Sequence, residues 1–171
     1  YVLENIIQNY RIKDGEKSDE PKDKISVISV MYGNNEIGTI QPLEEIGNLA
    51  KRFHIPFHTD AVQAIGQVPI SIKRLPIDML SASAHKFHGP KGIGFLYVKE
   101  GITLPSFIHG GGQERGKRAG TENVPGIVGL AAAVVVYFVT LILSKGIDEE
   151  DLKRMPGGRT ILTVAQKCKL L

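Results

Sequence analysis

Apolar side chains at Leu3, Ile6, Ile7 and Tyr10 recur at helical spacing, so residues 1–12 predict a helix with one apolar face. The pattern stops from Lys13 to Lys24, where charged residues surround Gly15 and Pro21. Such a stretch has nothing to bury and reads as a solvated loop or insertion. Residues 25–32 are β-branched and mostly apolar, which predicts a buried strand. The turn Gly33-Asn34-Asn35-Glu36-Ile37-Gly38 follows, rich in residues that tolerate positive φ. Pro42 suits the first position of a helix, and Ile46, Leu49, Ala50 and Phe53 form its apolar face. Glu44 and Glu45 at its start and Lys51 and Arg52 at its end match the helix dipole. Residues 55–58 predict a second strand, giving a right-handed parallel βαβ unit. A turn of helix is expected over residues 61–65, ending near Gly66, then strands at 77–82 and 94–98. The last of these is expected to be antiparallel, because its connection is short and glycine-rich. A polar loop from Gly110 to Thr121 leads into an uncharged stretch, Gly126 to Leu143. The expected fold is α/β: a mostly parallel sheet flanked by helices, one partial domain over residues 1–143. Residues 144–171 form a divergent tail with a weak pattern around Pro156-Gly157-Gly158.

Composition narrows the function classes. The 171 residues suffice for one domain with a real core. A net charge of +3 is too small to argue for nucleic acid. Cys168 is the one cysteine, so no intrachain disulfide can form, which fits a reducing compartment and a cytoplasmic location. The amino terminus has no signal-type core and no initiator methionine, so the sequence is expected to begin inside a longer protein. The uncharged stretch of about 18 residues sits at the lower edge for a membrane span. The expectation is a helix buried against the sheet, with a membrane anchor as the alternative.

The chemistry gathers where strands end. Open parallel sheets bind ligands beyond the carboxyl ends of their strands, and Asn35, Asp60 and Lys86 all fall there. A lysine amine that condenses with an aldehyde and a carboxylate that holds a proton on a ring nitrogen are what pyridoxal 5'-phosphate most needs from a protein. Asp60 stands in His58-Thr59-Asp60-Ala61-Val62-Gln63 and Lys86 in Ser83-Ala84-His85-Lys86. Gln63 reaches the phenolate oxygen if a helical turn follows Asp60, Asn35 donates to the same oxygen, and Ser83 and His85 hold phosphate oxygens. Taken one at a time, each is an ordinary polar residue at a strand end; the ordered set is what points to the cofactor. Gly89-Pro90-Lys91-Gly92-Ile93-Gly94 lacks the ending of a nucleotide loop. His109-Gly110-Gly111-Gly112 has no nucleophile elbow to serve. The pairs His54 with His58 and His85 with His88 have no carboxylate or cysteine cluster to complete a metal site.

Five ordered motifs then resemble one family, the cysteine desulfurases of the NifS/IscS type within the class V aminotransferases. They are residues 31–38, 58–63, 83–86, 89–94, and 109–115 with Arg118-Ala119-Gly120-Thr121. The similarity covers about residues 25–133. It implies part of the large domain of an aspartate aminotransferase-like fold and a pyridoxal phosphate enzyme that takes sulfur from L-cysteine, leaving alanine. It implies cofactor roles for Lys86, Asp60, Gln63, Asn35, Ser83 and His85. It also implies a homodimer in which Thr121 reaches the cofactor phosphate of the partner subunit, and a sulfur-acceptor or scaffold protein. Family members carry an upstream phosphate loop and stacking histidine, and a downstream domain with the sulfur-accepting cysteine; the chain starts after the first. Cys168 comes too early and lacks the expected loop to be that cysteine. Selenocysteine lyase or another class V enzyme acting on a β-substituted amino acid, a non-catalytic remnant or interaction module, and a membrane-tethered product are the alternatives.

Overall fold

The computed structural model describes residues 2–13, 25–144 and 158–167. The predicted loop of residues 14–24, most of the tail and Cys168 lie outside them. The elements are α1 (Val2–Lys13), β1 (Ile28–Met31), α2 (Leu43–Arg52), β2 (Phe57–Asp60), β3 (Met79–Ser83), β4 (Gly94–Val98), α3 (Val124–Leu143) and α4 (Gly158–Lys167). A short 310 turn, Ala84–Phe87, follows β3 directly, and a second spans Gln113–Gly116. The four strands lie in the order β1-β2-β3-β4. β1, β2 and β3 run parallel, and β4 returns antiparallel along β3, as the short glycine-rich connection predicts. Gly94 has no alternative there, since a Cβ at this position would stand 2.5 Å from the Ala82 carbonyl oxygen.

One face of the sheet makes the core. Phe57 and Thr59 of β2 are fully buried with Ile28 of β1, Leu80 and Ala82 of β3, and Leu43 and Ala50 of α2. Ile7 brings α1 onto the same cluster, and Glu4 pairs with Arg52 across the two helices. Thr59 avoids an orphaned hydroxyl by donating to the Val30 carbonyl at 3.0 Å. α2 approaches closely because it carries Gly47: a Cβ there would lie 2.5 Å from the Pro76 carbonyl oxygen and 3.0 Å from the Phe57 ring. Gly47→Ala is therefore expected to lose about 1–3 kcal/mol through overpacking, against the ~1 kcal/mol that alanine gains in helix propensity. A urea midpoint at or above the parent's would show that this contact is looser than described.

Two expectations are corrected. Strand residues begin at Phe57 and run through Asp60, so Asp60 is the last residue of β2 and not a residue beyond it. The apolar helix α3 is not buried: 11% of its apolar window is inside the domain, and Val128, Val135 and Val136 are each at least 60% exposed. α3 meets the sheet domain through few contacts, with Gly129 against Pro90 and the Tyr137 hydroxyl donating to the Gly66 carbonyl at 3.3 Å, which leaves most of its apolar surface uncovered. Within the weakly patterned tail, residues 158–167 are helical, and α4 lies with α3 around an apolar cavity lined by Phe138, Ile142 and Val164.

Candidate active site at the carboxyl ends of the strands

Register fixes where the two central groups sit. Asp60 pairs with Met31 on one side and Ser81 on the other, so it ends the middle of three parallel strands. The Ala61 amide donates to the Ser81 carbonyl at 2.9 Å, which ties the exit of β2 to β3. The chain then leaves β3 at Ser83 and turns at once through Ala84–Phe87, placing Lys86 just beyond the same end. Asp60 and Lys86 thus extend from neighbouring inner strands at one end of the sheet. Both are half-buried.

Their bonding leaves each with capacity. One Asp60 oxygen, Oδ1, accepts the Val62 amide at 2.9 Å, which holds the carboxylate at the head of the turn. Its other oxygen has no partner among the described residues, and neither has the Lys86 amine. A carboxylate half-fixed by backbone and an unpaired amine can serve a ligand that offers a donor to one and a carbonyl to the other.

The remaining predicted residues fall into pairs. Gln63 and Asn35 line one small cavity of about 200 Å3 between the turn after β2 and the turn after β1. Asn35 itself is exposed and donates to Glu36 Oε1 at 3.1 Å, while Asn34 Oδ1 accepts the amides of Glu36 and Ile37 and so shapes the turn. Ser83 and His85 are hydrogen-bonded to each other, Oγ to Nδ1 at 2.8 Å. Thr121 stands apart: it is exposed in the loop before α3 and bonds to none of the other six among the described residues.

The turn carrying Lys86 is braced in ways that residue types alone do not show. Ala84 donates to the Ile93 carbonyl at 3.0 Å and Gly89 to the Ala84 carbonyl at 2.8 Å. His88 takes φ of 66° to close the turn. A Cβ on Gly89 would stand 2.8 Å from that of Ala84, and one on Gly129 would stand 2.8 Å from Pro90. α3 therefore backs the loop behind Lys86, with Asn123 capping its start by accepting the Gly126 amide at 3.0 Å. The signal for this was an asparagine ahead of Val124-Pro125, a helix-start pattern that sequence reasoning passed over. On β2, His58 lies two residues before Asp60 on the same side and bonds to Ser29 at 2.7 Å. Among the described residues no group of three or more His, Cys, Asp or Glu could hold a metal ion.

Fold and site together define an open α/β domain with an amine and a carboxylate at adjacent strand ends. The family model described as aminotransferase class V matches residues 7–151. The chain belongs to that family. The cysteine desulfurase IscS of Clostridium botulinum is 62% identical over 112 residues, which are 66% of this chain and 28% of that protein. Among solved structures, a NifS-like protein from Rickettsia africae superposes with a TM-score of 0.67 at 32% identity, covering 91% of this chain and 42% of its own. A structure described as SspA in complex with cysteine gives a TM-score of 0.62 at 45% identity over 74% of this chain and 36% of that one. The chain thus spans less than half the length of each of these relatives.

Proposed function

We propose that the chain supplies the cofactor-binding core of a cytoplasmic, homodimeric cysteine desulfurase that holds pyridoxal 5'-phosphate on Lys86. Class V aminotransferases are pyridoxal phosphate enzymes, and relatives of this chain are named cysteine desulfurases. The observation that carries the reading is the pair of unsatisfied groups at one sheet end, Lys86 Nζ and the outer oxygen of Asp60. The donor set fits the cofactor: an amine for its aldehyde, a carboxylate for its ring nitrogen, amides for its phenolate oxygen and a Ser–His pair for its phosphate. When bound, that group acts as an electron sink for charge developing at the substrate α-carbon.

Each residue then has a task at a stated atom. Lys86 Nζ anchors the cofactor, gives it up to the amine of L-cysteine, and moves the α-proton. Asp60 keeps a proton on the ring nitrogen, and the Val62 amide keeps the carboxylate aimed. Gln63 and Asn35 donate to the phenolate oxygen from the cavity they share. Ser83 and His85 offer a hydroxyl and a ring nitrogen to the phosphate, and Thr121 serves the partner subunit's cofactor. In the overall reaction an acceptor thiol attacks the substrate sulfur. The carbon–sulfur bond breaks, R–SH becomes R–S–SH, and cysteine becomes alanine. The thiol comes from outside the described residues, and a sulfur-acceptor or scaffold protein takes the persulfide onward.

Asp60→Asn tests the second group. The amide keeps a carbonyl oxygen for Val62 but cannot hold the pyridinium proton. Losing a hydrogen bond to a charged group costs about 1.5–3 kcal/mol, so absorbance titration is expected to show cofactor affinity roughly ten- to a hundredfold weaker. An unchanged affinity would remove Asp60 from the site.

A second reading, a membrane-tethered product, has one observation in its favour: the 20 residues of α3 carry no charge, and 11% of its apolar window is buried. A helix of that length spans about 30 Å, the thickness of a bilayer core. Alkaline extraction of expressing cells decides it, since a peripheral protein is released and a spanning one stays in the membrane pellet.

A further inference from the structure

The opposite end of the sheet carries a larger cavity, about 580 Å3 in volume. There β2 and β3 begin and the antiparallel β4 ends, as the Lys99 amide bonding to the Asp78 carbonyl at 2.9 Å shows. The far side of the cavity is α2, whose Glu44, Asn48 and Lys51 fall on one helical face. The segment before β3 brings Lys73 and Arg74, and buried Ile77 and half-buried Tyr97 form part of the wall.

The charges on this wall do not cancel. Asp78 is already committed: Lys99 Nζ donates to one oxygen at 3.1 Å and the Phe57 amide to the other at 3.1 Å. The side chains of Lys51, Lys73 and Arg74 have no ion pair or hydrogen bond among the described residues. Glu44 is the one other carboxylate on the wall. Three free cations therefore face one free anion, with His54 beside them. Like charges gathered around a concave, partly apolar wall raise the local concentration of anions, and an excess held this close together is relieved by a ligand of more than one charge. Arg74 suits planar, forked recognition of phosphate, while the lysines act as point charges.

We propose that this cavity binds a small diphosphate-bearing molecule at the end of the sheet away from Lys86. The volume admits a small organic body beyond the phosphates, and Tyr97 and Ile77 give that body an apolar wall.

Inorganic pyrophosphate is the probe, titrated into the full 171-residue chain and followed by backbone amide spectra and calorimetry. Shifts are expected at Lys51, Lys73 and Arg74, with affinity falling steeply as salt rises. The double substitution Lys73→Glu with Arg74→Glu is expected to weaken binding at least tenfold without changing cofactor labelling at Lys86. If that variant does not fold, acetylation of the parent chain gives the same answer. Pyrophosphate should protect Lys51 and Lys73 and leave Lys91 reactive. Shifts confined to Ser83–Lys86, protection of Lys91 alone, or unaltered affinity in a folded double variant would each overturn the site. So would an acidic peptide that binds the same lysines while pyrophosphate does not, which would mark a protein-docking surface.

Discussion

Replacing Lys86 with alanine is expected to abolish the borohydride-stable adduct that pyridoxal phosphate forms with this chain. Surface lysines also condense with the aldehyde, so the test is run at low cofactor excess and read by peptide mapping. The parent should carry its label on the Ser83–Phe87 segment. Lys86→Ala should fall to background, and Lys91→Ala, which removes an exposed lysine nearby, should label like the parent. Lys86→Arg separates charge from chemistry, because a guanidinium keeps the cation and cannot condense. It too should lose the label. In a protein carrying the rest of the reaction machinery, removing a positioned proton-transfer group also slows turnover by about a hundredfold to ten-thousandfold. A linked effect is measurable without turnover. A ligand that binds only the folded state raises the melting temperature, so excess cofactor should stabilise the parent and not Lys86→Ala. A parent adduct mapped to any other lysine would dissolve the functional reading while leaving the fold intact.

The sheet was legible because its strands are short apolar runs closed by turn residues, and its crossover helix carries both a dipole-matched charge pattern and a clean apolar face. The direction of β4 was legible from the length and glycine content of its connection. The order Asn35, Asp60, Lys86 was legible because each lies where an apolar run gives way to turn residues, and the structure ends β2 at Asp60 and puts Lys86 in the turn directly after the neighbouring β3. The environment of α3 could not be read in the same way. An all-apolar helix has no polar face to declare which side is covered, and coverage depends on how much neighbouring surface exists. The bracing of Lys86 by Gly89 and Gly129 was also hidden, since close approach is a property of two distant segments and a glycine in isolation signals only permissiveness. The cationic cavity shows the same limit. Lys51, Lys73 and Arg74 are unremarkable in sequence, and only the packing of α2 beside the entry to β3 makes them neighbours.

Phe57→Ala is expected to have the largest effect on stability. Phe57 is fully buried at the start of β2. Its ring lies under Gly47 of α2, and its amide is anchored to Asp78 Oδ2 at 3.1 Å. Truncating such a ring removes its transfer free energy and leaves a cavity, for about 3–5 kcal/mol. A domain of this size has only ~5–15 kcal/mol to lose. Urea unfolding should therefore show a large fall in midpoint, or no folded baseline at all. In the second case Phe57→Leu, which keeps most of the volume, supplies the measurement with a smaller loss. The consequence reaches the site because β2 runs from Phe57 to Asp60, and a rigid strand transmits the position of its buried start to its functional end. Labelling of Lys86 by pyridoxal phosphate should fall in step with the folded fraction, and excess cofactor should recover part of it. A loss under about 1 kcal/mol would show that Phe57 is not packed as described, and that the placement of Asp60 rests on other contacts.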